Sequence, residues 1–244
     1  MTRSDDASRA PTAGAGRWLA PLALGAGAAW ALPAAAAAWA PLRAPLGIAD
    51  RTGDGLGVGL TFDDGPHPQG TPAVLELLAQ AGVRATFFLV GEQIQRTGAL
   101  AHEIVAGGHD VALHCHRHRN LLRLTPRQVR ADLERARALI SQATGREPSL
   151  YRPPYGIFSF PALRWAREQG MLPLLWTHWG RDWERAASTE SITRLLCADL
   201  EPGSVVLLHD ADDYGAPGSW RRTVAALPSV LAELERLQLR PGPV

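Results

Sequence analysis

From Gly57 onward, short apolar runs alternate with longer amphipathic stretches, the pattern that an array of parallel strands and covering helices imposes on a chain. Strands are predicted at 57–62, 85–90, 110–114, 150–153, 172–176 and 204–209. Helices fill the intervals. Thr71-Pro72 reads as a cap with proline at the first helical position, leading through Val74, Leu75, Leu77 and Leu78 to a stop at Gly82. Thr125-Pro126-Arg127-Gln128 has the form of a capping box, and Val129, Leu133, Ala136 and Ile140 then keep helical spacing up to Gly145. Further helices are predicted over 160–169, 190–200 and 220–237. The fold class is α/β, with no internal repeat.

The residues before this array follow a different pattern. Residues 1–17 are small and polar. Residues 18–42 carry no charge, and at about 1.5 Å per residue that length could cross a bilayer core of about 30 Å. Alanine and glycine dominate it, Pro21, Pro33 and Pro41 interrupt it, and Ala36-Ala37-Ala38 offers a small-residue cleavage pattern. An uncleaved anchor, a cleaved signal peptide and an Ala-rich cytosolic tail all fit; the first two export the domain and the first ties it to a membrane. Residues 43–56, with Pro45, Gly47, Gly53 and Gly55, read as a linker, so the main domain spans 57–240.

Composition narrows the function only slightly. A net charge of +1 over 244 residues provides no basic field for nucleic acid and names no protein partner. Two cysteines, Cys115 and Cys197, are too few for a disulfide framework.

The chemically capable residues are more informative, because they fall at the ends of the predicted strands: Asp63 and Asp64, then His114, His116 and His118, then Arg152, then Asp182 and Trp183, then His209. Strand ends at one rim of a βα barrel converge on a common pocket. Adjacent aspartates on an extended chain point to opposite sides, so they are expected to have separate jobs. His114 and His118, four apart, can share a cation if the chain turns between them, with Asp64 completing a three-ligand set; spacing alone leaves His116 open. Arg152, ahead of Pro153-Pro154-Tyr155-Gly156, can hold a carboxylate. His209 closes an apolar strand, and an Asp such as Asp182 beside it would make it a general acid. Asp212 and Asp213 read either as a solvated turn or as a field attracting cationic groups.

Five segments in this order, T-F-D-D-G-P, G-H-D-V-A-L-H-C-H-R-H-R-N-L, Y-R-P-P-Y-G, R-D-W and V-V-L-L-H-D, resemble the motifs of the polysaccharide deacetylases of carbohydrate esterase family 4. The resemblance runs from about Val58 to Leu239. It implies a distorted, incomplete (β/α) barrel and a hydrolase that removes N-acetyl groups from a peptidoglycan- or chitin-like polymer of N-acetylglucosamine. By the same resemblance Asp63 is the general base and Arg152 the residue orienting it. Asp64, His114 and His118 hold one divalent cation, zinc ahead of cobalt, manganese or nickel. His209 is the general acid with Asp182 as partner, Leu207 and Trp183 wall the acetyl pocket, and the Tyr155 backbone N–H donates to the oxyanion. Cys115, Leu113 and Trp179 depart from the usual pattern. Alternatives are an O-acetyl esterase on a polysaccharide such as xylan, and a non-catalytic, membrane-tethered glycan-binding relative.

Overall fold

A computed structural model describes residues 30–53 and 57–244. Its framework is one parallel sheet built from β1 (Val58–Asp63), β2 (Thr86–Leu89), β3 (Asp110–Leu113), β4 (Leu150–Tyr151), β5 (Leu172–Pro173), β6 (His178–Trp179), β7 (Val205–His209) and β8 (Pro241–Gly242). The order is β5-β4-β3-β2-β1-β7-β6, with β8 added beside the start of β1. Helices α1 (Gly70–Ala81), α2 (Gly91–Thr97), α3 (Leu100–Ala106), α4 (Pro126–Thr144), α5 (Phe160–Glu168), α6 (Thr189–Cys197) and α7 (Ser219–Arg236) provide the connections.

Alternation along the strands produces two cores. Leu60, Phe62, Phe87, Leu113, Val206 and Leu208 belong to the large core that also takes in Val74, Leu78, Leu133 and Ile140 of the helices. Phe88, Ala112, Leu150, Leu174 and Val205 make a small second core. Thr61 and Asp63, between the outward residues of β1, fall on the side of this second core. Register then aligns the carboxyl ends, with Asp63 opposite Phe88 on β2 and opposite His209 on β7. His114 N–H donates to Leu89 O and Arg152 N–H to Leu113 O, so both lie one residue beyond the last pairing of their strands.

The six predicted strands are present, shorter by a residue or more at several ends. The capping box at Thr125 and Gln128 forms with both hydrogen bonds, and Gly82 and Gly145 close their helices in the left-handed conformation that glycine adopts freely. Thr71 is a correction, because α1 begins at Gly70 and its N-cap is Gln69. The Thr71 hydroxyl accepts from His67 N–H and donates to the buried Asp210 carboxyl. Strands β6 and β8 and helices α2 and α3 were not predicted: the first two are two residues each, and the helices are seven each, separated by Gly98.

Residues expected as a linker lie against the sheet in their described part. Ile48 is buried, Ala49 bridges Leu174, Arg51 bridges Ser204, and Arg43 binds Asp50 at 2.6 Å and Trp176 O at 3.2 Å. Just before them, Leu32–Ala37 and Ala40–Leu42 form short 3-10 turns, with Ala36 in the large core. Residues 1–29, which hold the polar start and the first part, 18–29, of the uncharged segment, lie outside the described residues. Among the described residues no helix is long and apolar enough to cross a membrane.

Candidate active site

The strand ends open into a cavity of about 330 Å³ lined by Asp64, His114, His118, Tyr155, Trp176, Trp179, Trp183, Leu207, His209 and Tyr214. Asp63, Arg152 and Asp182 sit directly behind these lining residues, each almost or fully buried.

The two aspartates do not point to opposite sides as an extended chain would require. Asp64 has φ 79°, which turns the strand end so that both carboxylates approach one imidazole: His114 Nε2 lies 3.9 Å from Asp63 Oδ2 and 3.4 Å from Asp64 Oδ1. Their surroundings nevertheless separate them. Asp63 Oδ1 is held at 2.6 Å by Arg152, whose guanidinium also donates to Thr61 Oγ1 and to the carbonyls of Leu174 and Leu175, over the ring of Phe88. An arginine saturated in this way fixes the position of the carboxylate it touches.

Asp64 instead faces imidazoles. Its Oδ1 lies 3.4 Å from His114 Nε2 and 3.3 Å from His118 Nε2, and it is buried without a hydrogen-bond partner. Burial opposes its charge, but His114, His118 and His209, where protonated, outweigh burial and hold its pKa down at about 2. The rings of His114 and His118 meet 5.4 Å apart because the chain turns at Cys115, φ 69°. His114 Nδ1 contacts Arg152 O at 2.8 Å, which sets Nδ1–H as donor and aims Nε2 at Asp64. For His118 burial is the largest effect and brings its pKa to about 4. A buried carboxylate oxygen with no hydrogen-bond partner and two ring nitrogens, all within 4.8 Å of one another, form a donor set that fits a divalent cation.

His116 is not part of it. Its Nδ1 packs on Gly91, and its backbone N–H donates to Asp132. Cys115 is in the large core with Sγ 3.8 Å from Tyr151 Oη, and burial pushes its pKa well up, so it remains a thiol rather than a ligand.

Across the cavity, His209 Nε2 faces Asp64 Oδ2 at 4.0 Å while Nδ1 meets Asp182 Oδ1 at 2.9 Å. Asp182 Oδ2 accepts from His209 N–H at 2.7 Å and from Thr223 Oγ1–H on α7 at 2.7 Å. Burial works against the imidazolium, but the Asp182 charge and hydrogen bond more than reverse this, and the pKa is pushed up to about 10.

Trp183 stands edge-on to His209 at 5.2 Å and meets Trp179 at 5.4 Å, which meets Trp176 at 5.6 Å. Leu207 is the apolar residue beside them. Tyr155 has φ 60° on the turn after Arg152. Of the six non-glycine residues with positive φ among those described, Asp64, Cys115, Tyr155 and Arg181 all lie in or beside the site, where such backbone strain concentrates in functional proteins.

Some members of the site carried little sequence signal. Tyr214 stacks on His118 at 4.2 Å, donates its hydroxyl to Glu92 and accepts from Gln93. Thr223 completes the Asp182 cage from a helix 41 residues away. The acidic loop is satisfied internally, since Arg96 holds Asp213 through two bonds and Asp212 accepts from Gly218 N–H and faces His67 Nε2 at 3.2 Å. Its carboxylates are therefore committed, which counts against a field that attracts cationic chains.

Residues 50–174 match the family model for polysaccharide deacetylases. A peptidoglycan-N-acetylglucosamine deacetylase of Bacillus cereus is 33% identical over 178 residues, 73% of this chain and 63% of that protein, so the match spans less than two thirds of that relative. A chitooligosaccharide deacetylase of Bradyrhizobium sp. is 36% identical over 184 residues, 72% of this chain and 84% of the relative. The crystal structure of a peptidoglycan N-acetylglucosamine deacetylase in complex with a naphthyl N-hydroxybenzamide superimposes with a TM-score of 0.75 at 30% identity, covering 81% of this chain and 91% of that one.

Proposed function

Because the chain belongs to the polysaccharide deacetylase family, we propose that it hydrolyses the acetamide of N-acetylglucosamine units in a cell-envelope or extracellular glycan. The reaction uses a divalent cation, zinc in our reading, held by Asp64, His114 and His118. The observation that carries this reading is the buried Asp64 Oδ1, without a hydrogen-bond partner, facing the ring nitrogens of His114 and His118. The solved relative's N-hydroxybenzamide is a hydroxamic acid, a metal-chelating group, which is in keeping with it.

Such a cation, when bound, polarises the acetamide carbonyl and brings the pKa of water from 15.7 towards about 7. The chain's own residues do the rest. Asp63 cannot swing away, because Arg152 holds Oδ1; Oδ2 is left to take the proton of the attacking water. The backbone N–H of Tyr155, presented by its left-handed turn, donates to the oxyanion, a contribution of about 3 kcal/mol for a well-placed donor. Asp182 binds His209 Nδ1–H and so leaves Nε2–H facing the cavity, where it protonates the departing amine. A C–O bond forms, the C–N bond breaks, and acetate and a free amino sugar leave. Trp183 and Leu207 receive the acetyl methyl.

We place this chemistry outside the cytoplasm on the strength of the uncharged stretch 18–42. A fusion of residues 1–50 to a reporter active only after export should give signal, and a silent reporter would remove that placement. For the reaction, the full chain should be assayed for acetate release on peptidoglycan strands, chitooligosaccharides and acetylxylan. Release from either of the first two, abolished by a chelator and restored by zinc, is expected. Release from acetylxylan alone would make the protein an O-acetyl esterase, and no release from any would favour a glycan-binding role.

A further inference from the structure

We propose that Arg123, flanked by Arg119 and Asn120, binds a carboxylate on the sugar next to the one being deacetylated. The enzyme would then prefer a glycan in which N-acetylglucosamine alternates with an acid-bearing sugar over a neutral homopolymer. This rests on the deacetylase reading above and adds the substrate class to it.

A second groove, of about 580 Å³, adjoins the catalytic cavity and shares His118 and Tyr155 with it as a common wall. Its other side is Arg119, Asn120, Arg123 and Leu124. A sugar ring in the cavity therefore has this groove beside it, and the next ring of the same chain is the group that would fill it. Of the five arginines between Asp110 and Asp132, Arg117, Arg119 and Arg130 pair with Glu92, Asp132 and Glu134, whereas Arg123, on the groove, and Arg127 pair with no acid among the described residues.

The polar groups are placed for an anion and have few competitors. Arg123 is exposed and makes no ion pair among the described residues. Asn120 has its Oδ1 committed to Leu122 N–H, which leaves the amide NH₂ as a donor. Arg119 is anchored at 3.0 Å by Asp132, whose side chain is only 1% exposed, and its Nε is buried without a partner. Asp132 also accepts from His116 N–H, between the two proposed ligands. Arg119 is thus tied to the ligand loop, whereas Arg123 is free to answer a substrate charge. A neutral oligomer of N-acetylglucosamine offers only uncharged acceptors to such a group; a carboxylate can accept two of its N–H donors and neutralise its charge.

The test uses a matched set: peptide-free glycan tetramers bearing lactyl carboxylates, the same tetramers as methyl esters, and a chitin tetramer. The wild type should turn over the acid about tenfold better in kcat/KM than the ester, equivalent to about 1.4 kcal/mol. The ratio should shrink as ionic strength passes about 0.1 M, where screening reaches about 10 Å. Arg123→Gln should abolish most of the ratio through a higher KM for the acid, leaving the ester and the chitin tetramer unchanged. Equal kinetics for acid and ester, or an undiminished ratio in Arg123→Gln, would overturn the proposal. Calorimetric binding of acid and ester to the Asp63→Asn chain separates the two levels. Discrimination in binding without acetate release from any substrate would uphold the groove and reject the deacetylase reading. Acetate release without discrimination would reject the groove alone.

Discussion

Replacing Asp182 by Asn removes a negative charge 2.9 Å from His209 Nδ1 while leaving the side chain's size unchanged. Both partners are shielded from solvent, so the interaction is large: at an effective dielectric near 20 and a charge separation near 4 Å it is about 4 kcal/mol, or about 3 pKa units. This is comparable to the displacement of His209, which burial alone would lower but which stands at about 10. The sign follows from the role. A general acid acts only while protonated, a raised pKa extends that range to higher pH, and removing Asp182 withdraws the extension. A cation on Asp64 lowers the His209 pKa in both forms, so the difference between them survives its presence. The alkaline limb of kcat/KM, which reports the free enzyme, should therefore move by about 2–3 units to lower pH in Asp182→Asn. The variant also loses an acceptor for His209 N–H and Thr223 Oγ1–H, at a cost of about 1–3 kcal/mol, so its melting temperature should be followed alongside. An alkaline limb that stays in place, or moves upward, would refute the pairing as the source of the acid's pKa.

Three further outcomes are expected. Tyr214→Ala removes the ring stacked on His118 and should weaken cation affinity by about tenfold, the low end for groups that orient ligands, as read by chelator competition; unchanged affinity would make the ring a bystander. Arg152→Met leaves the Asp63 carboxylate buried without its cation and should cost about 3–5 kcal/mol in denaturant unfolding, whereas a loss well under 1 kcal/mol would mean the pair is dispensable. Burial raises the Asp210 carboxyl to about 7, so its contribution to stability is fully present below its unfolded pKa of about 4 and lost as pH rises through about 7. Asp210→Asn should then flatten the unfolding free energy between about pH 4 and 7, and a slope equal to that of the wild type would count against the assignment.

The parts legible in the sequence are those whose cause is local. An apolar run that ends in a carboxylate or imidazole marks a buried strand delivering a group to a rim, and Asp63, His114 and His209 were found that way; register then sets Asp63 beside His209. Separate jobs for Asp63 and Asp64 are expected from an extended geometry, which the positive φ of Asp64 breaks; what differs between them is their surroundings, with Arg152 buried on Asp63 and two imidazoles on Asp64. The rest depends on contacts between distant positions. Nothing near Asp213 announces Arg96, 117 residues away, and nothing near Asp182 announces Thr223. The linker expected at 43–56 is turn-rich by composition, yet Ile48 and Ala49 find a buried edge at Leu174 that no local pattern foretells. The aromatic wall of Trp176, Trp179 and Tyr214 comes from β6 with the residues before it and from the loop after β7, which meet only across the cavity.

The separate jobs of the two adjacent aspartates are the claim on which the mechanism stands, and metal content measured together with acetate release in Asp63→Asn and Asp64→Asn tests it directly. Asp64→Asn should lose bound metal and activity together, since a neutral amide is a weaker ligand than a carboxylate. Asp63→Asn should retain one cation per chain yet lose about 10² to 10⁴ in rate, the range for a missing general base. An Asp63→Asn protein that emptied of metal, or an Asp64→Asn protein that kept both its cation and its activity, would contradict the account.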